Sequence, residues 1–146
     1  MDMTQNEFNE CFTSLLKEHR PELTNIQREE CVNECAHLEF EFLPPDGGDE
    51  SLFTSTEDRE VTVFYHEFHM HFSLFYPPSH DEIFAEFLAC LDEIMGEEKI
   101  FVGYFEGDDC RGCEVVQPGE KIEPHANLKI VAKSWKGTYS QTMDKL

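Results

Sequence analysis

The sequence predicts an α+β fold, with two layers in which helices pack on one face of an antiparallel sheet. Three observations predict it. Two segments repeat apolar residues at helical spacing behind a capping signal, Thr4-Gln5-Asn6-Glu7 and Ser79-His80-Asp81-Glu82. Other segments are dense in β-branched and aromatic residues and are bounded by Pro, Gly and Asp. The connections are short, which favours antiparallel neighbours over crossovers.

Thr4 and Glu7 satisfy two orphan amides at the start of a helix whose apolar face carries Phe8, Cys11, Phe12, Leu15 and Leu16. Arg20-Pro21 ends it, because proline disfavours a helical residue before it. A second helix is expected from Thr24 to Leu38, with Ile26, Cys31, Val32, Cys35 and Leu38 as its apolar positions. Pro44-Pro45-Asp46-Gly47-Gly48-Asp49 is a loop. Residues 59–76 read as a strand pair, or one long bent strand, with a turn near His66-Glu67 and a stop at Pro77-Pro78. The helix opened by Ser79 carries Ile83, Phe84, Phe87, Leu88, Leu91, Ile94 and Met95 in a wide stripe. Gly96 is expected in the left-handed position that closes it. Lys99–Phe105 is a strand, Gly107–Gly112 a turn-rich acidic loop, and Asn127–Trp135 a further strand. The expected order is α, α, β, β, α, β, β, in one domain over residues 1–146.

The chain has 31 acidic and 11 basic side chains, a net charge of −20, with the acid concentrated in residues 28–60 and 81–114. Its 13 Phe, with Leu, Ile and Val, offset the ordering entropy, so disorder is not expected. Duplex binding is not expected either, because phosphate neutralisation needs clustered Lys and Arg. Anionic membrane surfaces repel such a charge. The segment Met1-Asp2-Met3-Thr4-Gln5-Asn6-Glu7 lacks the basic start and apolar run of a signal peptide, and apolar runs such as Ile100–Phe105 are too short to span a bilayer. The expectation is a cytoplasmic protein whose Cys11, Cys31, Cys35, Cys90, Cys110 and Cys113 are reduced thiols. Cys11, Cys31, Cys35 and Cys90 fall on apolar helical faces and read as core.

His66-Glu67-Phe68-His69-Met70-His71 is the densest group of possible metal ligands. On a strand His69 and His71 share a face and can share Zn²⁺, with His66 joining across a turn, but a closed site needs two further ligands. The competing reading has Phe68, Met70 and Phe72 in the core and the histidines hydrogen-bonded on the open face. Cys110-Arg111-Gly112-Cys113 has metal or redox spacing, alone or joined to the histidines as a Cys₂His₂ zinc site. The acids around it raise a thiol pKa, whereas redox cysteines need it lowered. There is no nucleophile elbow, phosphate-cradling loop or dinucleotide fingerprint, so the residues give no argument for an enzyme or a cofactor.

Val61-Thr62-Val63-Phe64 leading into His69-Met70-His71-Phe72, with the later Ser134-Trp135-Lys136-Gly137-Thr138-Tyr139, resembles segments of small bacterial immunity proteins. These are the cognate inhibitors of polymorphic toxins, including those of contact-dependent growth inhibition. The likeness lies in the second half of the chain. It implies a cytosolic antidote without catalytic role that binds the C-terminal domain of one toxin. Many such toxins are nucleases with basic clefts, toward which an acidic protein is steered. Charge and expected exposure place the partner-binding residues in two loops: Asp46, Asp49 and Glu50 in one, and Glu106, Asp108, Asp109 and Glu114 in the other. The His-x-His-Phe and Ser-Trp segments read as structural, with Trp135 packing near the end of the sheet. Two alternatives stand beside this reading. One is a metal-binding enzyme or sensor using His66, His69 and His71; the other is an acidic nucleic-acid mimic.

Overall fold

The capping box at Thr4 starts helix α1, Gln5–His19: the Thr4 hydroxyl accepts the Glu7 amide at 3.1 Å, and the Glu7 carboxylate accepts the Thr4 amide at 3.4 Å. The computed structural model describes residues 3–23, 25–32, 35–72 and 79–146, and for 25–32 and 35 the backbone alone. After α1 come β1 (Asn25–Val32), β2 (Cys35–Phe42), β3 (Leu52–Ser55), β4 (Val61–Tyr65), β5 (Phe68–Phe72) and α2 (His80–Met95). Then follow β6 (Ile100–Glu106), β7 (Asp109–Val116), β8 (Lys129–Lys133) and β9 (Gln141–Met143). One sheet runs β1-β2-β3-β4-β5 and the other β7-β6-β8-β9. The fold is thus α+β with antiparallel sheets, as the sequence predicts. Contacts divide the chain into two compact units. The first holds Met1–Leu43, Leu52–Phe64 and His69–Leu91; the second holds Pro44–Ser51, Tyr65–Phe68 and Asp92–Leu146.

In the first unit, β2 alternates: Leu38, Phe40 and Phe42 are buried between the half-exposed Glu39 and Glu41. Helix α1 turns Phe8, Phe12 and Leu16 inward. The Phe12 ring lies 5.2 Å from Phe40 and 5.2 Å from Phe87 of α2, and Phe8 lies 4.9 Å from Phe84. Phe87 also meets Phe72 of β5, so both helices lie on the buried face of this sheet. A buried polar network fixes the start of α1. Asn9 donates to the Ala36 carbonyl at 3.0 Å and accepts from the Thr56 hydroxyl at 2.7 Å, while Thr56 accepts the Leu38 amide at 2.9 Å. Buried groups so fully paired specify one docking register for the helix.

In the second unit, β6 sits between β7 and β8. One face of the sheet buries Ile100, Val102, Val116, Ile130 and Ala132 together. On the other face Phe101 meets Tyr65 and Phe68 edge-on, at 5.1 and 5.0 Å. Trp135, just past β8, is buried with its ring 6.2 Å from Tyr65, the structural role expected of it.

Three expectations are corrected. The helix expected from Thr24 to Leu38 is the hairpin of β1 and β2, paired from Asn25 with Phe42 to Val32 with Cys35. Leu38-Glu39-Phe40-Glu41-Phe42 alternates with period two, and that register pulls β1 alongside it whatever the helical spacing of Ile26, Cys31 and Val32. Cys31 therefore stands opposite Ala36 rather than one helical turn before Cys35. The loop expected over Gly107–Gly112 is a two-residue turn, Gly107-Asp108, so Cys110 and Cys113 lie on strand β7. Gly96 does not take the left-handed position after α2; Glu97 does, at φ 55°. The turn at His66-Glu67 and the second capping serine fall where expected, with the Ser79 hydroxyl accepting the Glu82 amide at 3.3 Å. The stop expected at Pro77-Pro78 lies outside the described residues.

Candidate functional site

The first acidic loop, 44–51, is held against the turn after β8. Gly47 and Gly48 lie so close to that turn that a Cβ on Gly48 would strike the Trp135 carbonyl, and one on Gly137 the Gly47 carbonyl. Gly137 also has φ 80°, a conformation that penalises any side chain. Gly137→Ala is accordingly expected to cost about 1–3 kcal/mol, read as a lower urea midpoint; an unchanged midpoint would show that the loop does not dock this way. Asp46 is exposed on the loop. Asp49 reaches Lys133 at 2.7 Å, and Glu50 stands 3.7 Å from His66 Nδ1.

The second acidic group surrounds the β6–β7 turn. Glu106 and Asp109 flank Arg111, at 3.6 and 3.9 Å, while Asp108 at the tip has no ion-pair partner among the described residues. The Glu114 carboxylate accepts the Tyr104 hydroxyl at 2.5 Å. Burial, then that carboxylate, push the Tyr104 phenol up to about 12, so it stays a donor. These surface pairs contribute little stability, and their charge remains available to a partner.

All seven acidic candidates belong to the second unit, but they do not form one cluster. Strand β6 pairs Phe101 with Lys133 and Phe105 with Lys129. The Asp49 loop is thus tied to one end of the β6–β8 pair, and the Asp108 turn caps the other, roughly 14 Å away at about 3.4 Å per residue. Two anionic turns bracket one sheet.

The histidines separate into two environments. The His66 ring sits beside Phe105, and its Nε2 lies 3.0 Å from the Val131 carbonyl, so that nitrogen carries the proton and donates. His69 and His71 are exposed neighbours on β5, with ring centroids 5.3 Å apart. His71 Nδ1 stands 2.9 Å from Glu60 and 3.0 Å from the Thr62 hydroxyl. Among the described residues no three His, Cys, Asp or Glu side chains converge as metal ligands would. Cys90 is buried, its thiol directed at the Met70 sulfur at 3.8 Å, whereas Cys110 and Cys113 are exposed.

Two features went unseen in the sequence. Phe53 and Phe64 are exposed aromatics of the first sheet, with Phe53 opposite Glu41 and Phe64 beside His69. A strict alternation count over β3 and β4 would have flagged them. Glu97 is buried, and its carboxylate holds the turn at 134–138. It accepts the Ser134 hydroxyl at 2.5 Å, the Thr138 hydroxyl at 2.6 Å, and the amides of Thr138 and Lys136 at 3.1 and 3.2 Å. This is the role of the Ser134-Trp135-Lys136-Gly137-Thr138 segment: it cages a carboxylate. No local signal marks Glu97, because its partners are remote in sequence.

The chain matches no protein-family model, and no curated protein and no solved structure shows significant similarity to it. No helix among the described residues is long and apolar enough to cross a membrane.

Proposed function

We propose that this chain is an immunity protein: in the cytoplasm it binds the C-terminal domain of a cognate polymorphic toxin and neutralises it, with no catalysis of its own. The observation that carries the reading is the net charge of −20, presented in part as two anionic turns on one sheet. A basic, phosphate-binding nuclease cleft is the surface such a field attracts, and fast encounter is what an antidote to an arriving toxin needs. The segments at 61–72 and 134–139 that resemble immunity proteins lend the reading its class.

The test is co-expression with the variable C-terminal domain of a secreted protein encoded beside this chain. Rescue of growth and a heterodimer are expected. Salt should slow association far more than it speeds dissociation, because steering is screened beyond a Debye length of about 10 Å at 0.1 M. Neutralising Asp46, Asp49, Glu106, Asp108 and Asp109 to their amides is expected to lower the association rate about tenfold or more. An association rate indifferent to both salt and these substitutions would overturn the steering argument, and absence of any complex would overturn the function.

A further inference from the structure

We propose that Cys110 and Cys113 form a two-thiolate site for a soft monovalent cation, Cu(I), on the edge strand of the second sheet. On a regular strand, residues three apart point to opposite faces. Here the register forbids that. Tyr104 pairs with Gly112, but Phe105 pairs with Cys110, so Arg111 is left over as a bulge. Cys113 in turn pairs with Gly103. Phe105 and Gly103 are two apart on β6 and share a face, so Cys110 and Cys113 share that face as well. Their backbones are separated by two strand steps, about 7 Å. The Cys110 thiol leans along the strand to the Gly112 carbonyl at 3.3 Å, the peptide that leads into Cys113.

That separation is at the upper limit for a disulfide without backbone movement. Two sulfurs turned toward one ion between them need no such movement. β7 is an edge strand and both cysteines are exposed, so an ion has open access. The ligand count selects the metal. No third His, Cys, Asp or Glu side chain joins the pair among the described residues. Zinc requires four ligands and hard cations prefer oxygen, whereas soft thiolates favour Cu(I), which accepts two. Glu106 and Asp109 hold the Arg111 guanidinium, a fixed cation beside the pair. On binding, each thiol releases its proton to solvent and two thiolates take one Cu(I), with no electron transferred.

The experiment is an anaerobic titration of reduced protein with Cu(I) against bicinchoninate as competing chelator. The background carries Cys11→Ser, Cys31→Ser and Cys35→Ser, with far-UV circular dichroism confirming the fold. One Cu(I) per chain is expected. Cys110→Ser and Cys113→Ser should each weaken binding by about a hundredfold or more, beyond the ten- to hundredfold typical of outer-shell partners. The decisive variant is Cys113→Ser with Glu114→Cys. It keeps the number of thiols but moves one to the other face, and it should lose binding to the same degree. Undiminished binding in that variant, or Zn(II) bound as tightly as Cu(I), would overturn the proposal.

Discussion

Phe12→Ala is expected to be the most damaging core substitution, costing about 3–5 kcal/mol. Phe12 is 1% exposed and stands where three elements meet, with α1 behind it, Phe40 of β2 on one side and Phe87 of α2 on the other. Truncation removes the transfer free energy of a ring and leaves a hole bounded by two more rings. Neither neighbour can follow inward, because Phe40 is fixed by strand pairing and Phe87 also packs on Phe72. A loss of this size is a large part of the 5–15 kcal/mol that holds a typical domain. Urea unfolding followed by far-UV circular dichroism measures it. Phe64→Ala, at a ring that is 44% exposed, is the control and should cost well under half as much. Equal costs for the two would mean that α1 is not seated on β2 as described.

The parts of this fold that could be read from sequence are those written in neighbouring residues. A capping box needs only positions three apart, and both capping serine and threonine residues are where the chain announces them. The hairpin at His66-Glu67 was visible because β-branched and aromatic residues crowd both of its strands. The segment 24–38 reads as helix in the sequence because its helical spacing is local and the register that defeats it is not: β1 is a strand by virtue of the alternating row in β2. The acidic loops were legible as charge, but their placement at opposite ends of one sheet depends on β6–β8 pairing. The Cys110–Cys113 spacing was equally plain, while the face they share is set by one bulged residue.

Glu97→Ala is expected to cost about 2–4 kcal/mol, because it strands the partly buried amides of Lys136 and Thr138 and leaves two hydroxyls, one of them on the buried Ser134, without their acceptor. The position is already strained. The Glu98 amide returns to Glu93 and the Glu97 amide to Ile94, a Schellman closure that puts Glu97 in the left-handed region, where a side chain costs roughly 1–2 kcal/mol. Gly96 offers itself one residue earlier for that conformation without the cost. The chain places a glutamate there instead, and the carboxylate's four hydrogen bonds are what offset the strain. Burial pushes this carboxyl up, but the Ser134 and Thr138 hydroxyls with the Thr138 and Lys136 amides outweigh it and hold the group below its ordinary 4.5. The sign of the pH effect follows. Above the ordinary value both folded and unfolded chains carry the charge, and the stabilisation is fully present. As acid is added, the unfolded chain takes up the proton first, so stability falls until the pH has passed through the lower folded value. Glu97→Gln keeps an acceptor for the two amides but removes the titration. Its stability should therefore fall less steeply than the wild type's between neutral pH and pH about 3. Urea midpoints of the two proteins across that range test this. Parallel curves would mean that the carboxylate is not charged within its cage, and the compensation for its backbone conformation would have to lie elsewhere.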